Sequence, residues 1–153
     1  MTFALSSPAF APDGPIPRRH TCDGEDRSPA LRWGDAPPAT KSFALICDDP
    51  DAPCGTWVHW VICNLPASSH ELPEGISREP HLSDGSIQGQ NSWGKPGYNG
   101  PCPPRGKPHR YYFQLYALDV VLALDARASK PEVLEAMRDH ILAEARLMGT
   151  YAR

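Results

Sequence analysis

The 153 residues suffice for one domain with a sizeable core, and 41% apolar with 22% charged residues are ordinary globular values. A formal net charge of −3 argues against a nucleic-acid partner held by a basic surface. No run of about 18 apolar residues is present to insert stably into a membrane, and 18 prolines with 12 glycines predict many turns and few long helices.

The opening segment MTFALSSPAFAPDG has neither a basic start nor an apolar run long enough for a secretory signal, so a cytoplasmic location is expected. A short strand is expected over 2–5. Residues 6–40 read as loop, with a turn at His20–Gly24 and a short strand over 28–33. The compact apolar run Ser42–Cys47 predicts a buried strand ending at Asp48-Asp49-Pro50. Trp57–Leu65 is apolar on both faces, as expected of a central strand covered above and below. Loop character returns over 66–84, and a short strand is expected over 85–90. Gly94–Pro108 is excluded from regular structure, since Pro101, Pro103 and Pro104 have no amide to donate. Tyr111–Leu118 is the strongest strand signal, being aromatic and apolar.

Ser129 with Glu132 forms a capping-box pattern, and Pro131 fits a first turn. Val133, Met137, Ile141 and Ala145 then recur at helical spacing, with Gly149 as C-cap, so one long helix is predicted there. Without repeats or linkers, residues 1–153 read as a single domain. It is expected to be a mostly-β sandwich with a helix attached late in the chain.

Two segments carry the chemistry. The first, Asp48–Trp60 (DDPDAPCGTWVHW), sets Asp49 and Asp51 two residues apart, on one side of an extended chain. Two acids that close repel and call for a nearby donor or cation. His59 follows within an apolar strand, and a carboxylate reaching it would hold an imidazolium suited to an oxyanion. Taken alone, His59 reads first as a core histidine with a satisfied hydrogen bond, and the acids as turn formers.

The second segment, Gly97–Tyr111 (GYNGPCPPRGKPHRY), shifts that balance. Gly97, Gly100 and Gly106 allow turns with exposed amides, a common means of holding an anion. His109 and Tyr111 share one strand face, and Arg110 takes the other. Arg110 is expected to pair with a loop carboxylate and tie the two segments together. Cys102, seven residues before His109, is placed to line the same pocket.

These residues carry a resemblance. DPDAP followed by W-x-H-W, then Y-x-G-P-x-P-P-x-G-x-x-H-R-Y, resembles the phosphatidylethanolamine-binding protein family, in particular its bacterial and archaeal, Raf-kinase-inhibitor-like branch. IPRRHTCDGEDRSPALRW and the expected terminal helix fit the same branch, so the resemblance covers nearly the whole chain. It implies a β-sandwich of a large and a small sheet with one main helix and short peripheral ones. It further implies a small cavity that accepts phosphate, acetate, cacodylate or a phosphoryl headgroup. The lining it implies is Asp49, Asp51, His59, His109, Tyr111 and backbone amides. Gly100 and Cys102 join them from the spacing above, with Pro53, Trp57 and Arg110 in support. The resemblance implies a cis bond before Pro53 and a homodimer. The extra terminal helix of eukaryotic members is not evident, so kinase inhibition is not carried over.

The function expected is binding of a small anion or phosphorylated ligand, extending to a regulatory module that reads a phosphorylated group on a partner protein. The alternative is a hydrolase or other enzyme using a pocket Cys/His pair. It is the weaker of the two, because Gly-Pro-Cys-Pro-Pro places no helix N-terminus at Cys102 to lower its pKa. The Cys and His spacings match no common zinc motif, so neither metal nor cofactor is expected. Five cysteines without CxxC spacing, and without an export signal, are expected as reduced thiols. Cys47 and Cys63 are expected in the core.

Overall fold

The computed structural model describes residues 2–153. Among them, eight strands form two antiparallel sheets. The large sheet runs β6 (Ile87–Gln88), β4 (Trp57–Pro66), β3 (Ser42–Asp49), β7 (His109–Leu118), β8 (Ile141–Tyr151). The small sheet runs β1 (Ala4–Ser6), β2 (Leu31–Gly34), β5 (Glu71–Leu72). The one α-helix among the described residues, α1, spans Lys130–Met137, and a single 3-10 turn spans Arg18–His20.

The two-sided apolarity of β3 and β4 is explained by cover on both faces of the large sheet. Phe43, Leu45, Trp60 and Ile62 pack with Leu31 and Trp33 of β2 into the main core. Ala44, Ile46, Val61 and Cys63 point the other way and are covered by Val133 and Met137 of α1 and by Leu122. Both cysteines of these strands, Cys47 and Cys63, are buried thiols, and burial pushes the Cys63 thiol up to about 12.

The mostly-β, two-sheet architecture with one helix is the expected one, but the helix is shorter. The capping box forms: Ser129 Oγ accepts the Glu132 amide, and the Glu132 carboxylate accepts the Ser129 amide at 3.1 Å. The helix then stops at Met137, and Asp139 takes a positive φ of 68°. Residues 141–151 form β8, paired along nearly its whole length with β7. Its residues favour helix by propensity. They also alternate, with Ala145 and Leu147 buried between the exposed Glu144 and Arg146, and the free edge of aromatic β7 decides for the strand. Gly149 is therefore no helix cap. It lies in β8, where a Cβ would stand 2.6 Å from Ile16 Cγ1 and 2.7 Å from Phe10 Cε2.

Two further expectations are corrected. Cys22 and Cys102 are joined in a disulfide rather than free. The turn after the 3-10 helix meets the 97–104 loop with a Cα–Cα distance of 5.4 Å, inside the span a disulfide bridges. The bond before Pro53 is trans, since there is no cis peptide among the described residues. Pro53 follows Ala52 in a turn closed by the Gly55 amide on the Ala52 carbonyl at 3.1 Å, a setting that suits the generally preferred trans isomer.

Candidate functional site

A β-bulge aims the first imidazole. β3 pairs with β4 as Cys47↔Trp60 and then Asp48↔Val58, which leaves His59 as an extra residue without a partner on β3. The alternation changes phase there: Trp60 packs in the main core, Val58 against the helix side, and His59 is turned to the same side as Trp60. An unbulged strand would have sent His59 toward the helix. The ring is 3% exposed, edge-on to Tyr111 with centroids 5.2 Å apart and to Trp93 at 5.1 Å.

The bulge is locked to the 97–100 loop by a reciprocal pair. His59 Nδ1 lies 2.6 Å from the Asn99 carbonyl, and the Asn99 amide donates to the His59 carbonyl at 3.1 Å. A carbonyl can only accept, so Nδ1 carries the proton and the Nε2 of a neutral ring presents a lone pair. Burial holds the His59 pKa below its ordinary 6.5, against the opposing pull of the Asn99 hydrogen bond and the Asp49 charge.

The second imidazole comes from the start of β7. His109 Nδ1 donates to Asp49 Oδ2 at 2.7 Å, and Asp49 Oδ1 accepts the Asp51 amide at 2.7 Å. Asp49 is itself buried, at 3% exposure, and both its oxygens are occupied. It thus orients the His109 ring from behind and leaves Nε2 without a partner among the described residues. Two residues on, Tyr111 is 1% exposed; its hydroxyl makes no hydrogen bond of normal geometry among the described residues, although the Asp49 carboxylate stands near enough to act on it. Burial, and then the Asp49 charge, push the phenol above its ordinary range.

These groups surround a cavity of about 430 Å³. Of the residues expected there, Asp49, His59, Gly100, Cys102, His109 and Tyr111 line it, and so do the supporting Pro53 and Trp57. Asp51 and Arg110 do not. They pair at the surface, Arg110 Nε on Asp51 Oδ2 at 2.9 Å and Nη2 on Oδ1 at 2.8 Å, with the Arg110 amide on Oδ2 at 2.9 Å. The Arg110 hydrogen bonds hold the Asp51 carboxyl down at about 2. The pair staples the DPDAP loop to the start of β7 and orients the walls without reaching the cavity.

Gly100 lines the cavity, but its amide is engaged with Asp26 Oδ1 at 2.8 Å, and the Gly106 amide goes to the Arg153 carbonyl at 3.4 Å. Neither is free for an anion. Glycine is required at 100 for space, since a Cβ would stand 2.1 Å from the His20 carbonyl oxygen. Cys102 is in the disulfide, so its thiol is not a nucleophile in this state, and Cys54 is the free, exposed thiol on the wall.

Sequence reasoning missed Asp26, Trp93 and Asn99, all on the wall. Asn91 was missed behind them: its side chain bonds the Gly97 carbonyl, Asn99 Oδ1 and the amides of Trp93 and Lys95. Asp26 and Asn91 lie in Gly/Asp- and Asn/Ser/Gly-rich segments, where such residues signal turns as readily as sites. Among the described residues, no three His, Cys, Asp or Glu side chains converge as metal ligands. No helix there is long and apolar enough to cross a membrane.

The family profile described as "Phosphatidylethanolamine-binding protein" matches residues 6–152. The chain belongs to the phosphatidylethanolamine-binding protein family. A UPF0098 protein of the archaeon Methanothermobacter thermautotrophicus is 56% identical over 149 residues, covering 97% of this chain and 98% of the relative. Two solved family structures superpose closely. The homolog CT736 of Chlamydia trachomatis is 43% identical with a TM-score of 0.91, covering 99% of this chain and 98% of that one. YbcL of E. coli, described as a member of the mammalian PEBP family, is 33% identical with a TM-score of 0.92, covering 100% and 99%. The phosphatidylethanolamine-binding fold expected from the sequence motifs is thus the observed one, and these relatives are archaeal and bacterial.

Proposed function

We propose that the cavity between the DPDAP loop and the start of β7 binds a small anion or phosphoryl group, and that the protein works as a binding module. One arrangement carries this assignment: two imidazole rings, each oriented from behind through its Nδ1 atom, line one cavity with the buried Tyr111.

The carboxylates do not contradict an anionic ligand. Both Asp49 oxygens are taken by donors, and Asp26 is bonded to the Gly100 amide with Arg78 3.4 Å away. A phosphoryl group therefore meets the Tyr111 hydroxyl and the Nε2 atoms of His59 and His109. Because neutral His59 offers a lone pair, a phosphoryl group that keeps one P–OH has the better fit: it donates to His59 while accepting from Tyr111. The half-buried Trp57 and the exposed Trp93, edge to face at 5.5 Å, form an apolar rim for the organic part of a monoester. A phosphorylated side chain on a partner protein has this chemistry.

Calorimetric titration with inorganic phosphate and with O-phosphotyrosine tests the proposal. Wild type should bind at least one with a Kd of about 1 mM or tighter, and His59→Ala should bind neither. Absence of binding to wild type at these concentrations overturns it.

A further inference from the structure

We propose that the Cys22–Cys102 disulfide is a thiol–disulfide exchange site for small dithiols, and that its reduction releases the 102–108 segment from the cavity wall. Cys102, Pro103 and Pro104 line the cavity, so this segment is a strap across it. Apart from the packing of the buried Pro103, the strap is poorly held by anything else. Pro103, Pro104 and Pro108 have no amide to donate. Among the described residues, its only backbone hydrogen bond is that of Gly106 to the Arg153 carbonyl, at 3.4 Å. The chain is firmly placed on either side, where the Pro101 carbonyl accepts the Cys22 amide and β7 begins at His109. In between, the disulfide is the one covalent tie.

That tie is open to attack. Both half-cystines are exposed. The Arg153 guanidinium lies 3.8 Å from Cys102 Sγ and is itself anchored by Asp23 at 3.2 Å, where Tyr151 also bonds. A positive charge beside one sulfur makes it the better leaving thiolate. The dithiol's first thiolate bonds to Cys22 Sγ, and the bond to Cys102 breaks with its electron pair on Cys102 beside Arg153. The second thiolate then attacks the mixed disulfide and frees Cys22. The dithiol is oxidised by two electrons to its disulfide, and the protons it loses end on Cys22 and Cys102. An exposed disulfide of this kind is transient in a reducing compartment, which makes it a sensor rather than a permanent brace.

Trypsin reads the strap directly, because Arg105 is exposed within it and is followed by Gly106. Cleavage after Arg105, followed by mass spectrometry, should be roughly tenfold faster after reduction with dithiothreitol than in the oxidised protein. Cleavage after Arg138 should not change. Cys102→Ser and Cys22→Ser should match the reduced form without dithiothreitol, and Cys54→Ser should keep the full response. Equal cleavage after Arg105 in the two redox forms, or loss of the response in Cys54→Ser, overturns the proposal. Inorganic phosphate, titrated in parallel, should bind the reduced form several-fold more weakly. That arm rests on the anion-site proposal, whereas the cleavage arm does not. Phosphate binding to neither form sinks the anion site and leaves the strap to trypsin.

Discussion

Asp49 holds His109 at 2.7 Å while its second oxygen holds the Asp51 amide, so one buried carboxylate sets both an imidazole and the turn of the loop beside it. Asp49→Asn keeps the shape and an acceptor for the Asp51 amide but removes the charge that orients His109. A hydrogen bond to a charged group contributes about 1.5–3 kcal/mol, so phosphate affinity should fall by roughly tenfold or more. Calorimetry measures this, and near-UV circular dichroism from Trp57 and Trp93 reports whether the cavity keeps its form. Unchanged affinity would show that the pair does not govern the ring.

Tyr111→Phe separates binding from folding. Removing a buried hydroxyl that makes no hydrogen bond of normal geometry among the described residues should leave the folded state as stable as wild type, or more stable by about 1 kcal/mol, while phosphate affinity drops. Urea unfolding alongside titration gives both numbers. A variant that is less stable yet binds normally would mean that the hydroxyl is satisfied within the fold and does not serve a ligand.

Acid should weaken the fold in two separate windows. His20 and His59 are both held below 6.5 by burial, so the unfolded chain takes up their protons at a higher pH than the folded one. Their contribution is complete above about pH 6.5 and is lost as pH falls from there toward their folded values. Asp51, held at about 2 against an ordinary 3.8, acts only below that second value. Its pair with Arg110 is exposed, which keeps its share small. Urea midpoints at pH 8, 6.5 and 5.5 should decline in that order, and His59→Gln should flatten the decline. A midpoint that rises toward pH 5.5 would contradict the burial of these rings as neutral species.

Much of the scaffold was readable in the amino-acid order. β3, β4 and β7 are dense apolar runs bounded by prolines and acids, and the Ser129–Glu132 capping box marks the helix start. β8 was not readable, because Ala, Glu, Arg, Leu and Met favour a helix locally and only pairing with β7 makes them a strand. The 22–102 disulfide was hidden for a related reason. Its cysteines lie 80 residues apart without a shared motif, and only the meeting of two irregular loops brings them together.

What the sequence determined by itself is chemical and local: the family, the mostly-β composition, and two proline-stiffened segments rich in acids, imidazoles and a phenol. Which group faces which was decided in three dimensions. Asp49 rather than Asp51 meets a histidine, that histidine is His109 rather than His59, and Asp51 goes to Arg110. One inserted residue in β4 turns His59 into the cavity. Strand pairing and bulges fix side-chain direction across about sixty intervening residues, and no local spacing encodes that direction.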